Sequence, residues 1–154
     1  MKRILPVGLF TVAVILFSSC AKQVDVIVQT SSDPLPGNWY ISDASDFDGH
    51  TWAQFDYGLY GTFSFYSNGS AQYSDGGALL QGSWITNDSF DPYYDYNGNY
   101  RTDRHRSFSF YADDPAGHSV HLSFDDIVFT GGNQFMATYD NGSLLQVFTF
   151  SRSN

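Results

Sequence analysis

In several runs from Leu35 onward the aromatic and aliphatic residues of this chain fall at every second position, with mostly small polar residues between them. Phe63 and Phe65 enclose Ser64, Phe108 and Phe110 enclose Ser109, Val120, Leu122 and Phe124 enclose His121 and Ser123, and Phe148 and Phe150 enclose Thr149. A period of two sends alternate side chains to opposite faces of a strand, whereas a helix scatters the same residues around its axis. The expectation is strands with one apolar and one polar face, Ser64, Ser107, Ser109, Ser119, Ser123, Thr149 and Ser151 lying on the polar side. Between the runs stand Asp48-Gly49, Asn68-Gly69, Asp75-Gly76, Asn97-Gly98, Gly131-Gly132 and Asn141-Gly142. Such pairs supply the positive φ angles of two-residue hairpin turns, so antiparallel neighbours are expected. The strands are predicted at residues 38–43, 59–66, 70–74, 80–86, 106–112, 118–124, 126–130, 134–139 and 144–151. The acids agree: all sixteen are Asp, a turn and cap residue, and Glu, a helix former, does not occur.

The N-terminus reads differently. Met1-Lys2-Arg3 is a charged start, Ile4 to Phe17 is an apolar run too short for a membrane span of about 20 residues, and Ser18-Ser19 precede Cys20, the sole cysteine. Residues 1–19 are read as a signal peptide. Residues 20–34 are read as an anchored cysteine and tether, with linker chemistry from Gln29 to Pro34, and residues 35–154 as one domain. A lone cysteine makes no internal disulfide, and Phe17-Ser18-Ser19-Cys20 resembles a bacterial lipobox. That resemblance implies fatty acylation of the Cys20 sulfur, as by palmitate, and attachment to a lipid bilayer; several acyl chains hold firmly, each buried CH₂ adding about 0.8 kcal/mol. Ala21-Lys22 follows the cysteine with no acidic residue directly after it, which points to the outer membrane.

Charge narrows the partners. Seven Lys and Arg face sixteen acids, a formal charge of −9, and cleavage before Cys20 removes Lys2 and Arg3 as well. An acidic surface of this kind repels phosphate backbones and anionic headgroups, so no nucleic-acid partner is expected. No nucleophile elbow, zinc-binding His pair or phosphate-cradling loop occurs, and no catalytic residue, cofactor or metal is assigned. The oxygen-rich groups Asp43, Asp46, Asp48 and His50, and Asp88, Asp91, Asp95 and Asn97, do not match the order of a calcium loop. His118 and His121 fall on opposite faces of a strand, which makes them poor co-ligands.

The opening Leu35-Pro36-Gly37-Asn38-Trp39-Tyr40 resembles the Gly-x-Trp signature of lipocalins. Gly61-Thr62-Phe63-Ser64-Phe65-Tyr66-Ser67-Asn68-Gly69-Ser70, followed by Gly82-Ser83-Trp84, is similar to a hairpin of small lipocalin-like, calycin-type lipoproteins of Bacteroidota. Phe148-Thr149-Phe150-Ser151-Arg152 resembles the close of the same fold, while the Thr-Asp-Tyr signature of larger lipocalins is replaced by Thr138-Tyr139-Asp140. The resemblance implies an all-β fold, an antiparallel meander closing into a small lipocalin-like β-barrel of about eight strands. It also implies that Arg152 lies over Trp39 as a barrel-end cap.

Two functions follow as expectations. One is an envelope lipoprotein without catalytic activity that binds a small apolar molecule or a glycan. The other is a structural or protein-interaction module with a filled barrel. Trp39 and Trp84 are expected in the core or plugging a barrel end, and Trp52 as a lid over the mouth or a satellite contact. Tyr93, Tyr94, Tyr96, Tyr100 and Arg101 form the most distinctive stretch, whose rings suit stacking on a sugar, contact with an envelope protein, or packing on the domain itself. This stretch is expected to be a surface loop.

Overall fold

A computed structural model of the chain describes residues 33–153. The signal segment, Cys20 and all of the tether but Asp33 and Pro34 lie outside the described residues.

Among the described residues all regular structure is β, in twelve strands. They are β1 (Gly37–Phe47), β2 (Trp52–Gln54), β3 (Thr62–Phe65), β4 (Ser70–Ser74), β5 (Leu79–Ser89), β6 (Tyr93–Tyr94), β7 (Tyr100–Arg101), β8 (His105–Asp113), β9 (Ser119–Phe124), β10 (Asp126–Gly131), β11 (Gln134–Asp140) and β12 (Leu145–Arg152). Every run predicted from the two-residue period overlaps one of these. Ten strands form one sheet in the order β10-β11-β12-β1-β3-β4-β5-β8-β9, with β2 attached to β1, and β6 pairs only with β7. Every pairing is antiparallel. No ladder joins the end strands β9 and β10 among the described residues, although Asp125 alone separates them in the chain. Among these residues no helix is long and apolar enough to cross a membrane.

The sheet is rolled on its apolar face. Phe124, at one end of the strand order, meets Phe148 and Phe150 near the other at ring distances of 5.3 and 5.9 Å. Phe135 stacks on Phe150 at 4.5 Å, and Phe63 and Phe65 both meet Phe110 edge-on. These rings, with Trp39, fill the centre and are almost wholly buried. Each contributes about 1.5–3 kcal/mol through burial alone. The segment Phe55 to Gly61, read partly as strand, lies outside any strand because Phe55, Tyr57 and Leu59 turn onto the core, where Tyr57 donates its hydroxyl to the Ile41 carbonyl at 2.9 Å.

Most turns differ from the two-residue form expected, the exception being Gly132-Asn133 between the register partners Gly131 and Gln134. No Asn or Asp adopts positive φ, so the turn type that needs two successive positive angles does not occur. Tyr66 to Ser70, Asp95 to Asn99 and Asp114 to His118 instead share one pattern. The first residue donates its N–H to the fifth and accepts from the fourth, a glycine at positive φ. This is a three-residue loop with a glycine bulge. The loops beginning at Asp48, Asp75 and Asn141 span four residues, and in each the first side chain accepts two backbone N–H groups, from His50 and Thr51, Gly77 and Ala78, and Ser143 and Leu144. Gly131-Gly132 shows no positive φ at all.

Candidate functional site

At the end of the sheet where β1 begins and β12 finishes, Trp39 and Arg152 are register partners. The guanidinium carbon lies 4.4 Å from the centre of the indole ring. Its nitrogens donate to the carbonyls of Gly132 at 3.0 Å, Pro36 at 3.2 Å and Pro34 at 2.7 Å. The indole N–H of Trp39 donates to the Leu35 carbonyl at 2.7 Å. Gly37 has φ of +140°, and a β-carbon there would overlap the Arg152 guanidinium, so the arginine occupies the space that a side chain would take. Asp33 and Pro34, expected to be tether, are thus held against the domain.

The tyrosine-rich stretch is more than a surface loop. Residues 90–104 fold back as the β6–β7 hairpin onto the outer face of β11, where the Thr138 hydroxyl donates to the Tyr94 carbonyl at 3.2 Å. The glycine at its tip, Gly98, lies against the Phe47 ring. Asp95 organises the hairpin, accepting from the backbone of Asn97 and Asn99 and from Arg101 Nε at 2.9 Å. Burial pushes its carboxyl up, and these hydrogen bonds outweigh that and hold it below the usual carboxylate range. Tyr93 stacks on His105 at 4.1 Å, donates to Asp103, and is pushed up to about 12 by burial and by Asp126 and Asp103. Asp126, beneath the hairpin, is raised by burial, which the N–H groups of Arg106 and Ile127 only partly offset. Tyr94 and Tyr100 meet edge-on at 5.5 Å and are exposed, as is Arg101, while Tyr96 is half-buried.

Trp52 sits in β2 opposite Phe47, stacks on that ring at 4.8 Å, and is 43% exposed. The neighbouring Phe55, Tyr57 and Leu59 pack against the core. Trp84 is a satellite of the core, half-buried against Phe65, its indole N–H donated to the Tyr66 carbonyl at 2.9 Å.

Two clefts flank the β11–β12 hairpin. The inner one, about 370 Å³, runs between β9 and the hairpin, with Leu122, Phe124, Tyr139, Gln146 and Phe148 among its walls. Its depth reaches the aromatic core. The outer one, about 200 Å³, is walled by Phe47, Asp48, Tyr94, Asp140, Ser143 and Leu145. It therefore brings the Trp52–Phe47 stack and the tyrosine hairpin, far apart in sequence, to one place.

The expected oxygen-rich groups are dispersed. Asp43 accepts from Gln54 and Asp46 from Gln146, Asp48 caps its own turn, Asp88 pairs with Arg104 at 2.6 Å, and Asp95 holds its hairpin. Among the described residues no group of three or more His, Cys, Asp or Glu is placed to hold a metal ion. His118 pairs with Asp114 and His121 lies against Tyr111, so the two are not brought together.

No family model matches this chain, and no curated protein or solved structure matches it.

Proposed function

We propose that this chain is an envelope lipoprotein without catalytic activity, anchored through Cys20 to the outer membrane, whose lipocalin-like barrel binds a small apolar molecule in the inner cleft. The observation that carries the reading is that cleft, about 370 Å³ with the rings of Phe124 and Phe148 in its wall. Ligand pockets commonly span about 300–1,000 Å³ and are mostly apolar. The barrel is supported by the near-continuity of β9 and β10. One stretch, Ser119 to Gly131, pairs with β8 in its first half and with β11 in its second. Around Asp125 it bends, the Asp125 N–H donating to Thr138 and the Asp125 carboxylate accepting from the Asp140 N–H, both at 2.8 Å. Counted as a single bent strand, it would join the two ends of the strand order, which supports a closed meander with the inner cleft lying between that stretch and the β11–β12 hairpin. The Trp39–Arg152 contact adds to the resemblance.

The test is binding of Nile red, an uncharged apolar dye, to the domain from Asp33 onward. Saturable fluorescence gain is expected, lost on Leu122→Asp, which sets a charge at the cleft, with the melting temperature little changed. A folded domain that leaves the dye dark would sink the apolar-ligand reading. The second reading, an interaction module with a filled barrel, is favoured by the dense packing of Trp39, Phe63, Phe135 and Phe150.

A further inference from the structure

We propose that the outer cleft is a second, separate site that takes one ring of an uncharged saccharide, with the next ring resting on Trp52. The cleft, about 200 Å³, falls below the range of about 300–1,000 Å³ usual for whole ligands, so it suits one unit of a larger molecule. One side of its wall is apolar, made by Phe47 and Leu145, and Tyr94 adds an exposed ring braced edge-on by Tyr100. The other side offers the carboxylates of Asp48 and Asp140 and the hydroxyl of Ser143. An apolar face beside clustered hydroxyl partners is the complement of a sugar ring, whose C–H faces stack on aromatics while its hydroxyls hydrogen-bond at the edge.

Trp52 supplies an independent observation. The indole N–H groups of Trp39 and Trp84 each reach a backbone carbonyl, whereas that of Trp52 meets no acceptor among the described residues. An exposed tryptophan with its donor open, stacked on the ring that walls the cleft, is a surface built for a partner that brings an acceptor. That requirement separates the candidates. A quaternary ammonium group would suit the aromatic rings and carboxylates, but the ammonium itself brings no acceptor for the indole. An anion is disfavoured by both aspartates, with no Arg, Lys or His in the wall. A sugar hydroxyl both donates to carboxylate and accepts from indole.

The walls are fixed before any ligand arrives. Asp48 and Asn141 hold their turns through two backbone N–H groups each, and Asp140 accepts from Gly142 at 2.8 Å. Binding then costs little ordering, the condition under which a small contact area still gives measurable affinity.

The experiment uses the full chain in a detergent without a sugar headgroup and follows the Trp52 indole N–H resonance, assigned by Trp52→Phe. The probes are neutral disaccharides of glucose, galactose, mannose and N-acetylglucosamine, with choline and glucuronate as comparisons. At least one neutral disaccharide is expected to shift that resonance saturably, with affinity falling about tenfold or more in Tyr94→Ala. Ser143→Ala, which leaves the hairpin untouched, should weaken binding in the same direction. Silence of the resonance to every neutral disaccharide at tens of millimolar overturns the proposal, and so does preference for choline or glucuronate. Nile red should not compete with the sugar, so failure of the inner-cleft reading and failure of this one are told apart.

Discussion

Arg152 shows how much one side chain can tie together. It spans the Trp39 ring and three carbonyls drawn from the segment before β1 and the turn before β11. A guanidinium stacked on a buried indole contributes roughly 0.5–2 kcal/mol. A double-mutant cycle of Trp39→Leu and Arg152→Met, read by urea unfolding, should return a coupling in that range. Additive changes would mean that the two groups do not act together. A second residue-scale expectation concerns Asp95. Its folded carboxyl lies below the ordinary value of 3.8, so its contribution is present above that pH and is lost as pH falls through the folded value. Asp95→Asn should therefore cost about 1–3 kcal/mol near neutrality. The gap from the parent protein should close on acidification below pH ~4. A gap that stays constant with pH would show that geometry, and not charge, carries the effect.

At the scale of elements, the period of two was enough to find the nine longer strands of the main sheet, because most of them bury one face and the pattern of burial is local. It did not find β2, β6 or β7. These are two or three residues long, and β6 is held by its ladder with β7 and by the Thr138 hydroxyl of β11, neither of which is a local periodicity. A sequence signal for that cover was present. β12 carries Leu145 and Val147 on the face opposite Phe148 and Phe150, and all four are buried, as is Thr149, expected to be on a polar face. A strand apolar on both sides must be covered on both sides. The turn loops were placed correctly, but those at the Asx-Gly pairs were given the wrong length, since an Asx-Gly pair does not distinguish a two-residue turn from a longer capped one; only the loop at Gly132-Asn133 has the two-residue length. The hairpin makes its own prediction. Tyr93→Ser, removing the ring stacked on His105, should cost about 2–3 kcal/mol, as truncating a partly packed aromatic does. Tyr94→Ser should cost under about 1 kcal/mol, as exposed substitutions usually do. Equal costs in denaturant melts would mean that the hairpin is not layered on the sheet as described.

For the whole molecule, the pairing of first and last long strands could be anticipated only through the resemblance at Gly37-Asn38-Trp39 and Arg152, because strands that lie so far apart leave no local trace of their pairing. The site was less legible still. Trp52 and the tyrosines stood out as residue types, but that Phe47 brings them to a common cleft depends on the β1–β2 turn and the tip at Gly98. Anchoring is tested by Cys20→Ser, which should move the protein from the membrane pellet to the soluble fraction with loss of the acyl mass. Membrane retention at unchanged mass would exclude acylation of that residue.

The arrangement of β1 also sets a direction. The chain enters the domain beside Arg152 at Pro34 and Pro36, and β1 then runs eleven residues to Phe47, about 35 Å of extended backbone, before the turn that walls the outer cleft. β12 returns along it to the starting point, so entrance and exit share one pole, while Phe47 and Leu145 of the outer cleft and Gln146 and Phe148 of the inner one lie toward the other. The two clefts proposed to bind ligands therefore lie far from Asp33, the first described residue. A fusion placed after Arg152 would leave both of them clear.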